Sequence, residues 1–382
     1  MTEPPTEASA PTAETSSAAA GTPPLPVETP ATAPAVAVSS GPLLPPVAST
    51  PRLIGTSFDL LARSSDEMRR ASFYIGVVLL GTVGPFALAS WALELIAVDK
   101  TTVQLQTILA GEAGILLGFL GMIAVAGLLV AAVESRAMAA SILGGRSVGR
   151  PVAVREAVAR SRMSFWRVTV GSLIVAIAVG AAQFAIGAAF EVMIGRQTDV
   201  SIVSRTLAAA LAGAPFAYLL GGIVLGDVDP FEATRRSFRV FRARKIAAAV
   251  VAVFETAATA LIVVALLAGL DLVVRIFGAL GLGLDSGPAG LILITVAILA
   301  GVFALGTLIY TVYAIAIAPQ IVMFVGLTRA TFGLDHVRPG GDRDPTGPIP
   351  GQRRFRWLTI GMVLAFASGV AGLAGFVAAV TG

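Results

Sequence analysis

The chain has 382 residues, of which 56% are hydrophobic and 13% are charged, with a net charge of +4. Because soluble domains carry about 25% charged residues, this composition excludes an ordinary water-soluble fold and predicts a membrane protein whose outer surface faces hydrocarbon. The chain has no Cys and a single His, which excludes disulfides, thiolate metal sites and multi-histidine metal sites.

The first segment, residues 1–51, is rich in Pro, Ala, Thr and Ser. Such a segment cannot bury enough apolar surface to offset the entropy of ordering it. It also lacks the basic and apolar stretches of a secretory signal peptide. We therefore predict a disordered cytoplasmic tail.

Seven apolar runs follow, and each is long enough for a membrane span, which needs about 20 residues. Backbone groups in lipid must find hydrogen-bond partners within the protein, so each run is predicted to be a helix. The expected fold is an all-α polytopic transmembrane helical bundle. The predicted spans are 73–98, 113–133, 168–193, 202–225, 246–270, 291–325 and 358–380. They divide the rest of the chain into a six-span membrane domain (52–329), a polar cytoplasmic linker (330–356) and a seventh span (357–382).

Arginine clusters precede the first span and follow the second, fourth and sixth spans, whereas the alternate loops hold few basic residues. Basic residues concentrate in cytoplasmic loops. The pattern therefore predicts a multi-pass protein of the bacterial cytoplasmic membrane, with its N-terminus in the cytoplasm and its C-terminus outside. It also explains the basic balance without nucleic acid as a partner.

Three of the basic segments, 57–70, 151–166 and 229–244, are predicted to form amphipathic helices at the membrane interface. The second contains Glu-Ala-x-x-Arg-Ser-x-x-x-Phe from Glu156, and the third repeats this pattern from Glu232. This suggests three units, each an amphipathic helix followed by a helical hairpin. The candidate lipid-interface residues are Arg160, Arg162, Arg236 and Arg239, with anionic lipid as the expected ligand. The alternative is that these helices only orient and brace the spans that follow.

With this repeated pattern leading into spans, the stretch from Thr56 to Thr331 resembles poorly characterised bacterial membrane proteins. These include the YciC-like group and the membrane domain of some glycerophosphoryl diester phosphodiesterases. The phosphodiesterase barrel does not fit in this sequence, because the chain's only sizeable polar regions are the 51-residue tail and the stretch near 329–356. The resemblance therefore implies residence in a membrane and no catalytic activity.

Glu255 is the candidate functional residue within a span, because ionisable groups at membrane depth are costly and often functional. Proton or cation coupling is one interpretation. The other is a structural carboxyl that hydrogen-bonds a neighbour such as Thr256, Thr259 or Gln183. Among the small residues, Gly114 and Gly118 have the spacing of close helix packing.

No nucleotide-binding loop, zinc-binding helix motif or nucleophile-elbow motif occurs in the chain. We therefore predict no enzymatic activity, no cofactor and no metal. The expected function is that of an accessory or scaffolding membrane protein, with a role in membrane or envelope homeostasis. The alternative is a transport component, either a permease subunit or an ion-coupled carrier.

Overall fold

The computed structural model describes residues 50–97, 102–194, 199–279, 287–331, 336–339 and 352–381. Within these ranges the chain is helical and contains no strand, which confirms the predicted all-α fold. The predicted tail lies outside the described residues except for positions 50 and 51.

In chain order, the helices are α1 (Thr50–Arg63), α2 (Ser65–Thr82), α3 (Gly84–Ala97), α4 (Thr102–Ala110), α5 (Glu112–Ser147), α6 (Val154–Ile194), α7 (Asp199–Gly213), α8 (Leu219–Val224), α9 (Pro230–Ala243), α10 (Lys245–Ala279), α11 (Gly287–Thr331) and α12 (Gln352–Thr381). A 3-10 turn, Ala214–Phe216, separates α7 from α8.

Among the described residues, five helical stretches are long and apolar enough to cross a membrane: Glu112–Ser147, Val154–Ala189, Thr206–Val224, Ala289–Ala330 and Thr359–Ala379. A sixth results if α2 and α3, which meet at a 48° bend, form one span. The remaining predicted span, 246–270, falls within α10. Many side chains in the second half of α10 lie outside the described residues, so this span stays a prediction.

Large apolar side chains cover the outside of the spanning helices. Ile115, Met122 and Leu129 are exposed along α5, and Ile177 and Phe184 are exposed along α6. Water would penalise this surface by about 25 cal/mol for each Å² of apolar area left exposed. Hydrocarbon carries no such penalty, so the exposed faces fit a protein surrounded by lipid.

The three longest helices extend well beyond the hydrocarbon layer. α5, α6 and α11 have 36, 41 and 45 residues, or about 54, 62 and 68 Å at 1.5 Å per residue. The hydrocarbon core is about 30 Å thick. At one end of the bundle, which we call the closed end, residues 137–145 of α5 and 316–325 of α11 are buried on every side. The longest helices therefore form a protein-filled core there.

The segment after α11 and the last helix both pack on this bundle. In the predicted linker, the described stretch 336–339 is docked: the Arg338 amide donates to the Leu225 carbonyl oxygen at 2.8 Å, and Ser141 Oγ donates to the Pro339 carbonyl oxygen at 2.6 Å. In α12, Gly372 packs against Leu120 of α5. The seventh predicted span is therefore part of the bundle.

The three predicted amphipathic segments have different fates. Segment 57–70 is divided at Ser64 between α1 and α2, and segment 229–244 contains the separate helix α9. Segment 151–166 instead forms the start of α6, which runs without a break into its span. Small residues such as Ala157, Ala159 and Ser161 let neighbouring helices approach closely, so this segment is buried and does not lie on the membrane surface.

Candidate functional site

A polar cavity lies beside the break between α7 and α8. Four polar side chains, one from each of α5, α6, α10 and α11, line it together with apolar residues of α6, the 3-10 turn and α8. The polar lining residues are Arg136, Ser172, Glu255 and Gln320. The cavity has about 70 Å³ of space for the centre of a water-sized sphere. A single water needs roughly 10–15 Å³ by this measure, so the cavity has room for several waters or for one small solute.

Glu255, the candidate residue from the sequence, lies in this cavity. Its Oε2 accepts a hydrogen bond from Nε2 of Gln320, which follows Pro319 in α11. The neighbours expected from the sequence do not bond to this carboxylate: Thr259 Oγ1 donates to the Glu255 backbone carbonyl, and the Thr256 hydroxyl donates to the Ala252 carbonyl. The actual partner is distant in sequence, which is why local spacing does not reveal it.

Arg136 brings a positive charge to the same cavity. Its guanidinium carbon lies 4.6 Å from the centre of the Tyr313 ring on α11, a cation–π contact. Its Nε is buried and has no hydrogen-bond partner among the described residues. A buried donor without an acceptor costs about 1–3 kcal/mol. Arg136 therefore retains a donor whose hydrogen-bonding capacity is unused among the described residues.

The helix break that forms one wall of the cavity contains Pro215. Proline has no backbone N–H and interrupts the helical ladder. Ser237 of α9 compensates from outside, because its Oγ donates to the Pro215 carbonyl at 2.5 Å and accepts from the Tyr218 amide at 3.1 Å. Gly213 and Phe216 of the same break line the cavity. Helix α9 thus holds the wall in place.

A second polar cluster crosses the closed end. Arg162 of α6 donates from Nε to Glu134 Oε1 of α5 at 2.9 Å. It also donates to the Tyr74 hydroxyl of α2 and to Thr359 Oγ1 of α12. The Tyr74 hydroxyl donates to the other Glu134 oxygen at 3.3 Å. Arg162 and Glu134 are only 6% and 1% exposed, so this pair joins four helices from within.

Arg160 is also buried, with 4% of its side chain exposed. Its Nη2 donates to the Val224 carbonyl at 2.7 Å, where α8 ends, and lies 3.2 Å from the Asp227 carboxylate. Asp227 has a positive φ of 53° and also pairs with Arg167. Since Arg160 and Arg162 are bonded to protein groups inside the bundle, they are corrected from lipid-facing residues to structural ones.

Arg236 and Arg239, the other two candidates, are exposed on α9. Both pair with Glu232, at 3.0 and 3.4 Å. The hydrogen bond from Arg236 is the main reason that the pKa of the Glu232 carboxyl lies below its usual value. Phe231 and Phe238 are exposed between these charges, Phe231 at 68%. Helix α9 is thus a basic and aromatic surface.

The repeated sequence pattern therefore has two outcomes. In both copies the Ala and Ser are buried, at positions 157 and 161 and at positions 233 and 237. The arginine between them differs: Arg160 is buried in the bundle, whereas Arg236 is exposed. Nothing within the pattern signals this difference, because it depends on which helices pack around each copy.

Within the part of the chain that the structure describes, no group of three or more His, Asp or Glu side chains is placed to hold a metal ion. Comparison with known protein families, with curated proteins and with solved structures found no match to this chain. The resemblance to the YciC-like group therefore stays a prediction.

Proposed function

We propose that this chain is a non-enzymatic, multi-pass protein of a bacterial cytoplasmic membrane that acts as an accessory or scaffolding component. The observation that carries the proposal is the exposed surface of α9, where Phe231 and Phe238 alternate with arginines. Aromatic residues among arginines suit the boundary between lipid headgroups and acyl chains, and they also suit contact with another protein. The proposed orientation places this surface on the cytoplasmic side.

The way the bundle is held supports a scaffold. The pair of Arg162 and Glu134 joins four helices, and Arg160 joins α6 to the end of α8. Buried charges that lose a partner are strongly destabilising, so these contacts favour one fixed arrangement of helices. A fixed bundle presents α9 at a constant position, as a docking platform requires.

The platform is tested by photo-cross-linking in native membranes. A photoreactive residue replaces Phe231 on α9 and, as the control, Val363 on the exposed face of α12, which is 63% exposed. We expect a protein adduct of defined mass from position 231 and lipid adducts alone from position 363. Lipid adducts alone from both positions would reject the scaffold and leave α9 as a membrane-surface helix.

A transport component is the second candidate function, and the cavity favours it. Irregular backbone at membrane depth is tolerated where it lines a cavity, and broken helices surround the binding sites of many transporters. Here the break at Gly213–Phe216 and the side chains of Glu255 and Arg136 meet at one cavity. Uptake of small solutes by liposomes that contain the reconstituted protein tests this candidate. Uptake that is lost in the Glu255→Gln variant would support transport. Absence of uptake with the unmodified chain would reject it.

A further inference from the structure

The cavity beside the α7–α8 break has the features of a built binding site. The helices around it are largely apolar, yet α5, α6, α10 and α11 each direct one polar residue to the same space. Burying polar groups is unfavourable unless they are hydrogen-bonded. Four polar groups around one cavity therefore indicate a binding site for a polar ligand.

Two of the four groups still have capacity for a ligand. Arg136 Nε is buried without an acceptor among the described residues. Glu255 accepts one hydrogen bond, from Gln320, whereas a carboxylate offers about four lone-pair positions. The cavity can thus accommodate both an acceptor, beside Arg136, and a donor, beside Glu255.

The size of the cavity limits the class of ligand. A volume of about 70 Å³ for sphere centres is several times the roughly 10–15 Å³ that one water needs. It is well below the roughly 300–1,000 Å³ of sites for drug-sized ligands. Nucleotides, sugars and lipid headgroups are therefore too large, while water or a solute of a few heavy atoms fits.

The charges around the cavity limit the class of ligand further. A bare cation would be repelled by Arg136, and a bare anion by the Glu255 carboxylate, in surroundings where charge interactions are strong. A solute that carries both signs and no net charge meets both groups favourably. We propose that this cavity binds a small zwitterion of the α-amino acid class, such as glycine or alanine, with its carboxylate at Arg136 and its ammonium group at Glu255.

In this proposal the ligand enters at the helix break. Gly213 and Phe216 form part of the cavity wall, and the intervening Pro215 leaves the wall without a continuous helical ladder. Movement of this segment would open the two hydrogen bonds of Ser237 to Pro215 and Tyr218, fewer than a whole helix would lose. The purpose of such binding rests on the transport candidate, but the binding itself does not.

Binding is measured on the full chain in lipid nanodiscs with radiolabelled glycine and alanine. We expect saturable binding that unlabelled glycine or alanine displaces and that acetate and methylammonium, each carrying one charge, do not. The variants Arg136→Gln and Glu255→Gln should each weaken binding at least tenfold. The control Arg69→Gln removes an exposed arginine, 79% accessible and paired only at the surface with Asp66, and should bind like the unmodified chain.

The possible outcomes are distinct. Absence of saturable binding, equal displacement by acetate, or binding that survives both cavity variants would each overturn the proposal. If either charge variant misfolds, Ser172→Leu, which fills the cavity without changing its charge, should abolish binding, and retained binding would again overturn it. Binding without uptake by liposomes would keep the site and reject the transport candidate alone.

Discussion

The hydroxyl of Ser237 on α9 donates a hydrogen bond to the carbonyl oxygen of Pro215, in the break between α7 and α8. The same hydroxyl accepts from the Tyr218 amide at 3.1 Å. Nearby, the rings of Phe216 and Phe238 meet edge to face at 5.5 Å. Two hydrogen bonds and one ring contact therefore join the surface helix α9 to the wall of the cavity.

The Ser237→Ala variant should destabilise the protein. It leaves the Pro215 carbonyl and the Tyr218 amide without this partner, and a buried unsatisfied group costs about 1–3 kcal/mol. The measurement is thermal unfolding in detergent. The matched control is Ser72→Ala, because the Ser72 hydroxyl makes a local bond to the Arg69 carbonyl at an exposed position. Equal unfolding temperatures for the two variants would contradict the proposed link.

Removal of one partner from the buried pair at the closed end should be more severe. The Glu134→Gln variant leaves the Arg162 charge with no carboxylate, and breaking a buried pair costs about 3–5 kcal/mol. The double variant Glu134→Gln with Arg162→Met removes both charges, so we expect it to be more stable than Glu134→Gln alone. Chemical denaturation in detergent gives the free energies of unfolding.

The control for that pair is the exposed contact between Arg69 and Asp66, 3.6 Å apart with both side chains nearly four-fifths exposed. Exposed pairs contribute about 0–1 kcal/mol. Asp66→Asn should therefore change the free energy of unfolding little. If Glu134→Gln had an equally small effect, the cluster around Arg162 would not hold the four helices together.

The helical architecture with its long apolar spans can be predicted from the sequence because hydrophobic length is a local property. Runs of about 20 apolar residues identify spans whatever surrounds them, and most of the predicted spans coincide with helices that are long and apolar enough. The position of Glu255 deep within an apolar run can also be read from the sequence. Its partner Gln320 cannot, because that contact joins residues 65 positions apart.

Side chains with identical local patterns are the hardest to predict. Arg160 and Arg236 occupy the same position in the repeated pattern, yet only Arg160 is enclosed by other helices. Glycine spacing is only partly informative: of the predicted pair, Gly114 lies against the backbone of Leu109 in α4, but a Cβ on Gly118 would meet nothing within 4 Å. Gly306, outside any predicted motif, lies against the backbone of Gly76. Packing between distant elements decides both cases, and a single sequence does not report it.

The contact of Gly306 with Gly76 leads to a prediction on stability. A Cβ on Gly306 would lie 2.7 Å from the Gly76 Cα and 2.9 Å from the Ile75 carbonyl oxygen. Backbone atoms cannot move aside as a flexible side chain can, so Gly306→Ala should separate α2 from α11 and cost about 1–3 kcal/mol. The measurement is thermal unfolding in detergent.

Gly301 provides the matched control on the same helix, because nothing lies within 4 Å of the place that its Cβ would take. Alanine favours helix over glycine by about 1 kcal/mol, so Gly301→Ala should leave stability unchanged or raise it slightly. A destabilisation of the same size in both variants would show that the close approach of α2 does not account for the effect.

The number of crossings between α5 and α9 can be tested directly, because the chain has no Cys and single Cys variants label without background. The stretch Thr206–Val224 is the crossing that most needs the test: 67% of it is buried, against 11–22% in the other four candidate spans. If α5, α6 and this broken stretch all cross, Glu112 and Arg239 lie on opposite sides of the membrane.

A membrane-impermeant maleimide is applied to cells whose outer membrane has been removed and whose cytoplasmic membrane is intact. It should label Glu112→Cys directly, and it should label Arg239→Cys only after the cytoplasmic membrane is permeabilised. The Arg155→Cys variant is the control, because α5 alone separates it from Glu112, and it should behave as Arg239→Cys does. Labelling of Arg239→Cys and Arg155→Cys, but not Glu112→Cys, in intact cells would reverse the predicted orientation. If positions 155 and 239 were labelled from different sides of the membrane, the broken stretch would enter and leave the membrane through the same face.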